Sequence, residues 1–81
     1  TITPTVYGHD FVDINGTSWT CTSISPIAAG KRLTLRVNGT GAFTDGGNIF
    51  LSGDFTSLNA NDTLTLVCDG TNYIEVSRSV N

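Results

Sequence analysis

The chain has 81 residues, with seven acidic side chains against four basic ones and a net charge of −3. A chain this short makes one domain at most, and its scattered cations, Lys31, Arg32, Arg36 and Arg78, form no basic run of the kind nucleic-acid binding needs. No apolar run approaches the roughly 20 residues of a membrane span, and no charged start followed by an apolar core marks a signal peptide.

In chain order, Thr1-Ile2-Thr3-Pro4-Thr5 is extended and polar, Pro4 bars helix around it, and the opening reads as the continuation of a longer chain. Gly8-His9-Asp10 reads as a turn. Phe11-Val12-Asp13-Ile14 is a short strand with Val12 and Ile14 on one face, and Asn15-Gly16 is a hairpin-type dipeptide. Trp19 and Cys21 share one side of the next strand. Ile24 falls on the opposite parity, which asks for a bend or bulge after Cys21, and Pro26 ends the strand. Ile27-Ala28-Ala29-Gly30 is the one place where a helical turn fits, too short to stand as a helix.

Arg32-Leu33-Thr34-Leu35-Arg36-Val37 alternates cleanly, so Leu33, Leu35 and Val37 point inward. Asn38-Gly39-Thr40-Gly41 reads as a turn or a bulge, Ala42-Phe43-Thr44 as a brief strand, and Asp45-Gly46-Gly47-Asn48 as a loop. Ile49-Phe50-Leu51 is a short apolar strand, Ser52-Gly53-Asp54 a turn, and residues 55–58 are extended. Asn59-Ala60-Asn61-Asp62 then turns into a final hairpin, the clearest unit of the chain. Leu64, Leu66 and Cys68 share one face, Asp69-Gly70-Thr71-Asn72 is the turn, and alternation resumes beyond it. There Ile74 and Val76 are expected inside, and Tyr73, Glu75 and Ser77 outside.

Seven or eight short strands with turn signals at roughly ten-residue spacing argue for an all-β fold. We expect short antiparallel strands in a small sandwich or prism-like module, one unit over residues 1–81, with no convincing internal repeat. A monomer of this mass buries roughly 60% of its unfolded surface, which is marginal. Small chains compensate with disulfides, a metal or a partner chain. Two cysteines allow one bridge at most; Cys21 and Cys68 lie at apolar-parity positions, which favours two buried thiols and leaves a bridge open. One histidine and two isolated cysteines do not make a zinc site. Oligomerisation remains.

Candidate chemistry is sparse. His9 with Asp10 or Asp13 is half of an acid–base or metal pair, but a lone histidine beside a turn is ordinarily a surface residue. Asp45, Asp54, Asp62 and Asp69 sit in Gly- or Asn-rich turns. Calcium sites use such carboxylates, yet Asp is also a standard turn residue, and the spacing matches no EF-hand loop. Glycoside cleavage needs a pair of acids in a cleft, and every acid except Glu75 lies in or beside an expected turn. No serine or threonine sits in a nucleophile-elbow sequence. The expectation is therefore no catalytic residue, no metal and no cofactor. Asn15-Gly16-Thr17, Asn38-Gly39-Thr40 and Asn61-Asp62-Thr63 fit the N-glycosylation triplet, which Asn- and Thr-rich turns also produce by chance. Among the aromatic side chains that could stack on a sugar, Trp19 shares parity with Cys21, which favours core. Tyr73, on the expected outer face, is the better exposed. With Asn72, Asp45 and Asn48 it makes the glycan-binding candidate.

The motifs also come in a familiar order. Phe11-x-Asp13-Ile14-x-Gly16-Thr17 is followed by Thr22-Ser23-Ile24, Ala29-Gly30-x-Arg32-Leu33-Thr34-Leu35-Arg36 and Thr44-Asp45-Gly46-x-Asn48-Ile49-x-Leu51-x-Gly53. The series ends in Asn61-Asp62-Thr63-Leu64-Thr65-Leu66-Val67-Cys68-Asp69-Gly70-Thr71-Asn72-Tyr73-x-Glu75-Val76-Ser77-Arg78. It resembles the small β modules of bacteriophage tail spikes and tail fibres, which often follow a pectate-lyase-like β-helix. The resemblance covers about residues 10–79 and is most specific in the terminal hairpin. The position that family fills with Trp after Gly-Thr-Asn is Tyr73 here, which keeps an aromatic. The resemblance implies a homotrimer wrapped about a common axis, in a virion appendage that faces the bacterial surface. Apolar faces such as Leu33/Leu35 and Ile49/Leu51 would meet around that axis. No family catalytic residue maps onto this chain. The expected function is a structural, trimerising module of a tail spike or fibre. The alternative is a carbohydrate-binding module for bacterial cell-surface polysaccharide.

Overall fold

A computed structural model describes residues 11–25 and 29–81. The extended opening, the Gly8-His9-Asp10 turn with His9, Pro26, and residues 27–28 of the candidate helical turn lie outside the described residues. Six strands are formed and no helix among the described residues. They are β1 (Phe11–Cys21), β2 (Arg32–Phe43), β3 (Ile49–Phe50), β4 (Phe55–Leu58), β5 (Thr63–Cys68) and β6 (Tyr73–Ser79). All belong to one sheet in the order β1-β2-β5-β6-β3, with β4 beside β2.

β2 is the spine. Its inward alternation runs unbroken from Leu33 through Leu35 and Val37 to Phe43, all fully buried. The inward positions between Val37 and Phe43 are Gly39 and Gly41. A Cβ on Gly41 would overlap the Trp19 indole, and one on Gly39 would overlap the carbonyl oxygen of Gly16. The run Asn38-Gly39-Thr40-Gly41 is thus not a turn: the strand passes through, and its glycines make room for an aromatic from β1. On one side β2 pairs with β1; on the other it pairs with β5 over Arg32 to Arg36, then with β4 at Gly41 and Phe43.

The sheet is mixed. β2–β5, β5–β6 and β2–β4 are antiparallel, as expected of short hairpins, whereas β1–β2 and β3–β6 are parallel. Asn15-Gly16 is accordingly no hairpin. β1 runs through it and slips register between Gly16 and Trp19. The slip moves the inward parity from Ile14 to Trp19 and Cys21, all three buried. The parallel register also exposes a repeat that the linear sequence conceals. Ile14-Asn15-Gly16 pairs with Val37-Asn38-Gly39, residue for residue, and Asn38 Nδ2 donates to Asn15 Oδ1 at 2.7 Å.

Among the described residues, fifteen buried apolar side chains form one core, contributed by every strand and by Ile24. Trp19 meets Phe43 edge-on at 5.2 Å between ring centroids, and Phe43 stacks on Phe55 at 6.5 Å. Each fully buried leucine, such as Leu33 or Leu64, contributes about 1.5–3 kcal/mol. Cys21 and Cys68 form no disulfide and are both buried. Burial pushes the Cys21 thiol up to about 11, partly offset by its hydrogen bond to the carbonyl of Ser23.

Two expectations fail here. Of the axis-facing residues expected from sequence, Leu33, Leu35 and Ile49 are 0% exposed within their own chain and have no free face for a partner, while Leu51 is half-buried against the core. The faces of β6 are also exchanged: Tyr73 is 0% exposed, while Ile74 and Val76 are 40% and 45% exposed. The hairpin register is the cause. Cys68 stands directly opposite Tyr73, and Val67 opposite Ile74. Directly opposed residues share a face, so an inward Cys68 takes Tyr73 inward with it. Further along, Leu66 faces Glu75 and Thr65 faces Ser77, which leaves Val76 as the extra residue of a bulge.

Candidate functional site

Of the glycan candidate, Asn48 and Tyr73 are brought into contact, and their polar groups are already bonded within the chain. The loop that carries Asp45 and Asn48 lies against the start of β6, where the Tyr73 amide donates to the carbonyl of Asn48 at 2.7 Å. The side-chain amide of Asn48 clamps Ile24, accepting from its N–H at 2.9 Å and donating to its carbonyl at 2.6 Å. The Tyr73 hydroxyl donates to the carbonyl of Ser25 at 2.7 Å. Asp45 accepts the amide of Leu51, and Asn72 donates its backbone N–H to Asp69. Tyr73 has no exposed ring face on which a sugar could stack. The pattern is a buried tyrosine and a bridging asparagine that tie the segment after β1 to the β5–β6 hairpin.

The turn aspartates serve their own backbone. Asp54 accepts the amide of Asp45, and Asp69 accepts those of Thr71 and Asn72. The hydrogen bonds from Asn72 and Thr71 hold the Asp69 carboxyl below the usual carboxylate range. Asp62 is 1% exposed and accepts from Asn59 and from Asn81. Glu75 is different. It accepts from Arg78 through both carboxylate oxygens at 2.7 Å and from the amide and hydroxyl of Ser52. Chiefly through the Arg78 hydrogen bonds, its carboxyl falls to about 2. Arg78 also donates to the carbonyl of Gly53 and lies 4.5 Å over the Phe55 ring. This group roofs the core where β6 leaves β3, on the inner side of the sheet.

The outer side of the same strands carries the feature that sequence reasoning missed. Val67, Ile74 and Phe50 are successive register partners across β5, β6 and β3. They form an apolar row, with Ile74 and Phe50 exposed and Val67 half-buried. Val76 is exposed beside the row. The next outer row, Thr34, Thr65 and Ser77, is polar, with the two threonine hydroxyls 3.2 Å apart. The apolar strip is thus confined to the hairpin-loop end of the sheet. A sequence signal for it existed: a four-residue loop that sets Cys68 opposite Tyr73 leaves Val67 and Ile74 facing outward as a pair. Comparison with family models, with curated proteins and with solved structures finds no match to this chain.

Proposed function

We propose that the chain is a structural module of a phage tail spike or tail fibre, acting as a homotrimer in an appendage on the virion exterior. The observation that carries this reading is the outer row Val67–Ile74–Phe50 with Val76 beside it. Contiguous exposed apolar surface on a small protein marks a contact site, and the motif series ending in the β5–β6 hairpin supports a second and third copy as the partners. Each protomer has a core of its own, so the trimer would form by packing of folded subunits. Native mass spectrometry at micromolar protomer is the test. The expected result is a trimer, with Ile74→Asp giving a folded monomer; a monomeric wild type would overturn the reading.

The same reading gives the module no catalytic step. Release of reducing ends from host polysaccharide by this chain, lost on Asp45→Asn or Glu75→Gln, would refute that part.

A further inference from the structure

The outer apolar row carries positive charge at one end and negative charge at the other. Arg32, the register partner of Val67 on β2, continues the row beyond β5. β1 begins at Phe11, opposite Thr34, so among the described residues the row stops at Arg32 on that side. Arg32 is exposed, and exposed Lys31 precedes it. Of the four lysine and arginine side chains, Arg36 is paired with Asp13 and Arg78 with Glu75. Lys31 and Arg32 have no acidic partner among the described residues.

At the far end stands the loop that flanks β3. Asp45 accepts the amide of Leu51, the residue after Phe50, and Asp54 accepts the amide of Asp45, each through Oδ1. Two exposed carboxylates are thereby held in one loop, and among the described residues neither is paired with a cation. Arg78 reaches the backbone carbonyls of Gly53 and Asp54 but gives its charge to Glu75. Like charges gathered in this way repel, and a cation brought from outside would relieve them.

That cation does not come from the same protomer. Arg32 and Phe50 lie on the first and last of four adjacent strands, β2-β5-β6-β3. Strands about 4.8 Å apart put the two residues roughly 15 Å from each other, nearly two screening lengths of about 8 Å at physiological salt. Around a three-fold axis, however, one end of a surface meets the other end of the same surface on the next copy. Resting on the trimer reading, we propose that neighbouring protomers are joined head to tail, Arg32 with Lys31 of one against Asp45 and Asp54 of the next. The apolar rows then face the axis and supply most of the affinity. The charged contacts, repeated three times per ring, fix which edges meet.

Sedimentation equilibrium of the full chain gives the concentration at half-assembly. For the wild type, raising salt from about 50 to about 500 mM should raise that concentration, because the contacts are exposed and screened. Arg32→Glu should raise it about tenfold or more at low salt, since three contacts per ring turn from attraction to repulsion. Its salt dependence should reverse, with the circular dichroism of a folded protomer retained. Asp45→Asn combined with Asp54→Asn keeps both Oδ1 acceptors and removes both charges, so the loop is preserved. That pair should flatten the salt dependence and, added to Arg32→Glu, recover most of its loss. A trimer broken by Ile74→Asp but indifferent to Arg32→Glu would overturn this proposal and leave the trimer reading standing. Losses that simply add when the changes are combined would overturn it as well, and a monomeric wild type would overturn both.

Discussion

β5 and β6 are the two arms of one hairpin, and both alternate apolar with polar side chains, yet the sheet uses them differently. β5 lies between β2 and β6 and buries Leu64, Leu66 and Cys68, the face that its alternation predicts. β6 buries Tyr73 alone and turns Ile74 outward. After Tyr73, the β6 residues opposite Leu66 and Leu64 are Glu75 and Arg78, an ion pair that roofs Phe55. The difference teaches that alternation sets the period of a strand but not its phase. A central strand has its phase dictated by two neighbours and a core. A strand towards the sheet edge takes its phase from the hairpin loop that feeds it, and a bulge can reset it within a few residues.

The comparison breaks most directly at the facing pair of the two arms. Tyr73→Ala should destabilise the protomer by about 3–5 kcal/mol, on the scale of Leu66→Ala at about 2–5 kcal/mol, in urea unfolding followed by circular dichroism. If Tyr73 were the outward residue suggested by alternation, its loss would stay near 0.5 kcal/mol, as for ordinary surface positions.

The polar inner rim gives the next effect. Glu75→Gln should cost about 1.5–3 kcal/mol, because it removes a charge-assisted pair with Arg78. The sign with pH follows from the depressed carboxyl. With Glu75 moved from 4.5 to about 2, its contribution is complete above pH 4.5 and is lost as pH falls towards 2. Thermal midpoints measured across that interval should fall more steeply for the wild type than for the variant. Parallel slopes would show that the pair does not stabilise the fold.

The smallest effect is expected on the outer face. Ile74→Thr should change protomer stability by no more than about 0.5 kcal/mol, read as a urea midpoint at protein concentrations too low for assembly. A loss comparable with that of Leu66→Ala would return Ile74 to the core.

Much of the candidate site was legible in residue types and little of it in their roles. Asn48 and Tyr73 do meet, while Asp45 bonds to the amide of Leu51. Asn48 and Tyr73 both bind the backbone of the segment after β1, at Ile24 and Ser25, partners more than twenty residues distant in sequence. An exposed aromatic and a buried aromatic with a bonded hydroxyl look the same in a sequence.

The sequence by itself determined the all-β class, the inward faces of β2 and β5, the turn role of the aspartates and the buried positions of Trp19, Cys21 and Cys68. These follow from local rules, namely strand alternation, turn chemistry and the apolar character of each side chain. Only the tertiary structure decided the parallel pairing of β1 with β2, the passage of β2 through its glycines, the phase of β6 and the outward apolar row. Each depends on which strand lies alongside and in which register. Register is settled by the summed packing of the core and the closing of backbone hydrogen bonds across the whole sheet, and no single stretch of sequence carries that sum.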